Sequence, residues 1–220
     1  MRDGNLNGEA LKDAVSIKSR GRGKQTISIQ AIDIRSMNLK LIGVTPLVVH
    51  KFSEKAKKIM ADKQQGRGVQ KKAAKDPKAD FEAAMYRLPK GGHGFKAVAF
   101  KASAISSCRF TEGISMKIAK GAFHIIGDIL RLDFDKVVMR EDAVRLATGV
   151  CDLRYRPEYQ GWSVVLPIKF NANVITPEQI VNLFQLAGFH VGVGEMRPMP
   201  RQSESSGSFG MFEVAKTKGE

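Results

Sequence analysis

Between Thr176 and Ala187 the sequence spells a helix with both ends marked, and this segment constrains the fold more than any other. Thr176, Pro177 and Gln179 read as N-cap, first helical residue and capping-box partner. Ile180, Leu183, Phe184 and Ala187 recur at the i, i+3, i+4, i+7 spacing of one helix face, and Gly188 is expected to end the helix. One apolar stripe on a polar helix needs a sheet beneath it. Gly192 and Gly194 follow at once, as expected where a backbone must pass close to something. A polar Arg/Ser loop and a last short strand, Ser208 to Val214, complete the segment.

Upstream, Ile27 to Val49 is strand-rich, with Pro46 at a bend. Ser53 to about Gln64 and Asp80 to Leu88 are expected as short helices, the second closed by the turn cluster Pro89 to Gly94. Ala97 to Phe110 reads as a helix of small residues, among them Ala99, Ala102, Ser103 and Ser106, suited to close packing against another backbone. Ser115 to Ala122 stays open between helix and loop, while Phe123 to Ile126 and Ile129 to Val138 read as strands. Leu153 to Tyr155 and Ser163 to Phe170 are expected to pair as a hairpin around Pro157 to Gly161. The order predicts a mixed α+β fold: one domain over residues 27–220 behind a flexible basic tail, 1–26.

Charge indicates the partner. Lysine and arginine number 36 against 22 acidic residues, a formal excess of +14, and 43% hydrophobic residues suffice for one core. Half of that excess falls between Lys51 and Lys78, where ten cations face Glu54, Asp62 and Asp76. Within this stretch Gly66 to Pro77 has no apolar period and reads as a mobile basic insertion that closes over phosphates, or else as a solvated loop that aids solubility. Nucleic acid is favoured over membrane, because no run approaches the ~20 apolar residues of a spanning helix. The first eight residues carry no apolar leader core, so a cytoplasmic protein is expected.

The side chains offer little for catalysis. Cys108 and Cys151 are too few for a disulfide framework or a four-ligand metal site and are expected as reduced core thiols. Of the four histidines, His50, His93, His124 and His190, none has a second histidine or a carboxylate at motif spacing. His190, beside the glycines, is the one weak candidate for a general acid or base. His124 and Asp128 are four apart, but Gly127 argues against the helix that would bring them together. No phosphate-binding GKT or GKS sequence occurs, and no metal or cofactor is expected.

The stretch Thr176-Pro-Glu-Gln-Ile through Gly192-Val-Gly194-Glu-Met-Arg-Pro198, closing on Gly207-Ser-Phe-Gly210-Met-Phe-Glu-Val214, resembles the RAMP superfamily. Within that superfamily it is similar to the backbone subunits of class 1 CRISPR effector complexes and to stand-alone, phage-encoded proteins of that type. The polar stretch Met199 to Ser206 between the two glycine groups departs from the family pattern. The resemblance implies a modified ferredoxin-like, RRM-type core with an antiparallel sheet and hairpin or thumb insertions. It also implies a non-enzymatic protein that binds single-stranded RNA or DNA independently of sequence and oligomerises along it as a filament.

A grip on phosphates calls for scattered cations and close backbone approach. The candidates are Arg67, Lys71 and Lys72 in the basic insertion, Lys101 and Arg109 around the small-residue helix, and Lys117 and Lys120 after it. Arg154 and Arg156, two apart on one strand face with Tyr155 toward the core, could span one phosphate step. Arg197 and Arg201 lie in the loop after Gly192 and Gly194. Two alternatives remain open: a metal-independent RNA endonuclease using a histidine, and a phage structural or assembly subunit whose charge answers to nearby DNA.

Overall fold

Strand β1 (Ile34–Gly43) frames the molecule, because both its flanks are taken by strands from the far end of the chain. The computed structural model describes residues 30–67, 74–145, 149–200 and 206–216. On one side β1 pairs with β9 (Ser163–Asn171), Ile34 opposite Asn171 through Ile42 opposite Ser163. On the other it pairs with β10 (Phe212–Val214), Leu41 opposite Val214. Beyond β9 stand β6 (Ile129–Asp133), β4 (His93–Lys96) and β3 (Tyr86–Arg87), and every pairing is antiparallel. β5 (Phe123–Ile125) takes the residues of β9 that β6 leaves free. Pro167, which lacks an N–H to donate, sits in the gap between those two partners.

Two helices carry the crossovers. α3 (Ala97–Ser107) lies between β1 and β6 in the chain, and α5 (Pro177–His190) joins β9 to β10, so that β10, β1, β9 and β6 stand side by side. α5 is capped as its sequence prescribes: Gln179 N–H donates to Thr176 Oγ1 at 3.3 Å and Thr176 N–H to Gln179 Oε1 at 2.9 Å. Its stripe of Ile180, Leu183, Phe184 and Ala187 is buried. It meets the inward face of β9, where Val164, Leu166, Ile168 and Phe170 alternate with outward residues in one shared core. Removing each large side chain of that set from water contributes roughly 1.5–3 kcal/mol.

A second sheet, β2 (Leu47–Val48), β8 (Cys151–Gln160) and β7 (Lys136–Arg145), stands apart from the first. Its main component is a long hairpin, Lys136 opposite Gln160 through Arg145 opposite Cys151. His93 of β4 links the two sheets. Arg87 Nη1 can only donate, so His93 Nε2 accepts at 3.2 Å, and the proton on Nδ1 goes to Tyr159 Oη at 3.0 Å. Burial pushes the Tyr159 hydroxyl up to about 12.

Several expectations are corrected here. β8 pairs with β7 and not with β9: at Gly161 and Trp162 the chain changes sheets, so the hairpin expected around Pro157 to Gly161 does not exist. α5 runs through Gly188 to His190, because Gly188 is where the Phe212 carbonyl packs on the helix. The helix near Asp80 is α2 (Pro77–Ala83), started by Asp76, whose carboxylate accepts from Lys78 and Ala79 N–H. Leu88 is outside it, and Tyr86 and Arg87 are strand. Ile129 to Val138 divides into β6 and β7, and Met116–Ala122 is a helix, α4, capped by Ser115. The basic stretch Lys51 to Lys78 begins with α1 (Glu54–Gln64), capped by Ser53, and its Lys75 reaches across to Asp152 and the Leu153 carbonyl. Cys108 is buried, whereas Cys151 is exposed.

Candidate nucleic-acid interface

A groove of about 390 Å³ opens between α3 and the segment after α5. Its floor is the small-residue face of α3, where Ala99, Ala102, Ser103 and Ser106 leave the backbone uncovered. Opposite lie Gly192 and Gly194, with φ of +66° and +80°, conformations that glycine adopts without strain. The two glycines serve closeness as well as turning. A Cβ on Gly192 would stand 2.8 Å from Pro198 and one on Gly194 2.5 Å from the Val48 carbonyl.

That loop is fixed from several directions. Val193 N–H donates to Gly210 O at 2.9 Å, Glu195 N–H to Val48 O at 2.8 Å and Gly210 N–H to Pro46 O at 2.8 Å. Arg197 donates from Nη1 to Gly194 O at 2.7 Å and from Nε to Met199 O at 3.2 Å, a clamp within the loop. Met196 sits at φ +53°, the one non-glycine residue with positive φ among those described. Such a conformation is kept only where its surroundings impose it.

Three cations line the groove: Arg109 just past α3, Lys120 on α4 and Arg197 in the loop. Among its described lining residues there is no carboxylate. Ser103 adds a polar handle, since its hydroxyl is buried and has no hydrogen-bond partner within the molecule. A buried polar group left in that state is unfavourable by roughly 1–3 kcal/mol unless something meets it. The groove therefore offers positive charge beside a wall of small residues, with the Ser103 hydroxyl buried beneath it.

The other predicted residues are placed elsewhere. Lys101 Nζ donates to Lys120 O at 3.0 Å and lies 3.1 Å from His124 Nδ1, so it closes the C-terminal end of α4, and burial holds its ammonium below the ordinary range. Lys117 is exposed on α4, outside the groove lining. Arg67 is exposed, 3.6 Å from Asp62. Arg154 pairs with Asp152 at 3.7 Å and lines a different cleft, with Lys51 and Lys55 against α1. Arg156 is only 3% exposed and 3.7 Å from Asp142, so it presents no guanidinium to a strand at the surface. Burial pulls its pKa down, against the pull of Glu195 and Asp142. Lys71, Lys72, Arg201 and the tail 1–26 lie outside the described residues.

His190 closes α5 beside the groove. Its ring stacks on Phe110 with centroids 4.2 Å apart and planes 13° apart, and it meets Phe189 edge-on at 5.1 Å. Sequence reasoning missed Ser103 as a functional group, because a serine among alanines reads as packing. It also did not single out Phe110 and Phe189. For the two rings the available signal was position: Phe110 ends the turn after α3 and Phe189 stands one residue before the end of α5.

No family model matches the sequence, and no curated protein matches it. Among solved structures, Cmr6 from Pyrococcus furiosus is similar to this chain at a TM-score of 0.40 and 10% identity, over 84% of this chain and 100% of that one. Among the described residues no helix is long and apolar enough to cross a membrane.

Proposed function

We propose that this protein binds single-stranded nucleic acid by its phosphate backbone, without catalysis, in the groove between α3 and the glycine loop. The observation that carries this reading is the meeting of Arg109, Lys120 and Arg197 with Gly192, Gly194 and the unpartnered Ser103 hydroxyl around one groove whose described lining holds no carboxylate. Cations supply attraction that does not depend on base identity, and the small residues Ala99, Ala102 and Ser106 of α3 leave room for a phosphate beside them. The side-by-side order β10, β1, β9, β6 with α3 and α5 as crossovers supports a ferredoxin-like core for the scaffold, with β3 and β4 added at one edge and the β7–β8 hairpin as a projecting arm. Alignment of copies along a strand belongs to the same proposal and rests on the sequence resemblance.

Fluorescence anisotropy of labelled single strands, DNA and RNA, over a salt series tests the grip. Three phosphate contacts give a log–log slope of about −2, at ~0.7 per contact on single strands. The double variant Arg109→Glu, Lys120→Glu should abolish most of that slope. Salt-independent binding, or none by the folded wild type, would sink the reading. Negative-stain microscopy with and without oligonucleotide tests self-association, and monodisperse monomers in both samples would remove it.

A further inference from the structure

All twelve phenylalanines lie in the described residues and three are exposed, Phe52, Phe110 and Phe189; two of those three meet at one place. Phe110 is 45% and Phe189 66% exposed, the latter the highest figure for a large hydrophobic side chain among the described residues. Phe110 lies face to face with His190, and Phe189 abuts the edge of the same imidazole. The three rings form a small built cluster and not isolated surface residues.

The cluster adjoins the groove through the chain itself. Arg109, next to Phe110, lines the groove, and so do Val191 and Gly192, which follow His190 directly. The rings therefore stand within two residues along the chain of residues that line the groove. An exposed aromatic face beside a phosphate-binding surface matches an unpaired nucleobase, which has a π-face of its own and little use for hydrogen-bond readout. An apolar peptide would match the rings but not the neighbouring groove, whose described lining carries cations and no carboxylate.

We infer that Phe189, backed by the stacked pair Phe110 and His190, is a nucleobase-stacking platform at the mouth of the groove. The inference rests on the phosphate-binding reading and adds to it a second source of affinity, one that salt does not screen.

The test uses the full chain with two probes of equal length, an oligothymidylate and its abasic counterpart, and a third that carries 2-aminopurine. In Phe189→Ala, affinity for the base-bearing strand should fall about 5- to 160-fold, while affinity for the abasic strand and the salt slope stay as in wild type. Phe189→Trp should restore the loss, and 2-aminopurine emission should be quenched by wild type and Trp but not by Ala. Phe110→Ala, checked for folding by circular dichroism, should give a smaller loss of the same kind. Equal loss on both strands, or no loss on either, overturns the platform. So does a change in oligomeric state with strand binding intact, which would mark the rings as a protein contact. Salt-dependent binding of both probes without discrimination removes the platform alone, whereas failure of wild type to bind either probe removes the groove reading with it.

Discussion

Gly188 in α5 lies against the carbonyl oxygen of Phe212 in β10, so closely that a methyl group on Gly188 would overlap it. At an open helix position alanine is preferred to glycine by roughly 0.5–1 kcal/mol. Here the obstruction is backbone, which cannot swing aside, and overpacking of this kind is unfavourable by about 1–3 kcal/mol. The second effect wins. Gly188→Ala should lower the unfolding free energy by a net ~1–2 kcal/mol in urea titration, and an increase would show that β10 is not seated on α5.

Gly188 also shows where the sequence was legible and where it was not. The capping box and apolar stripe of α5 are local patterns, and the helix forms where they say. Its end is decided by β10, a strand that follows more than twenty residues later, so no local signal could place it. The misassigned hairpin has the same origin: β8 and β9 are both good strands around a turn, but the partner of β8 is set by β7, which has the matching length. Within the site, Gly192, Gly194, Arg109, Lys120 and Arg197 were readable as residue types. Arg156 was not, since its burial follows from the second sheet and the nearby Asp142.

Ser103 separates stability from binding. Removing an unpartnered buried hydroxyl relieves a penalty, so Ser103→Ala should leave the free protein as stable as wild type or raise it by up to ~1 kcal/mol. Affinity for a single strand should nonetheless drop several-fold if a phosphate oxygen meets that hydroxyl. Thermal melts and anisotropy on the same preparation read both, and a loss of stability without loss of affinity would assign Ser103 to packing alone.

Arg197 should behave in the opposite way. Its guanidinium bridges two carbonyls of the loop, a geometry that one ammonium cannot reproduce. Arg197→Lys keeps the charge, yet stability should fall by about 1–3 kcal/mol and binding should weaken. Full binding in the lysine variant would show that charge alone matters at this position.

Acid should destabilise the protein through two imidazoles. Burial, then Arg154 and Arg156, hold His50 below its ordinary value, and burial, then Arg87, do the same for His93. Below about 6.5 the unfolded chain takes up protons that the folded chain refuses. Stability is therefore complete above that pH and is lost as pH falls toward 5, by at most ~1.4 kcal/mol per unit for each histidine. Denaturation midpoints at pH 5, 6 and 7.5 check this: His93→Gln should flatten the profile, and a wild-type profile already flat would refute it.

The glycine loop is bonded to Val48 through Glu195 and to Gly210 through Val193, and Gly210 is bonded in turn to Pro46. Whatever occupies the groove becomes a rivet between the first strands made and the last, and the occupied molecule resists unravelling from either terminus. Ligand-induced protection of β10 from hydrogen exchange is the signature such a rivet would leave.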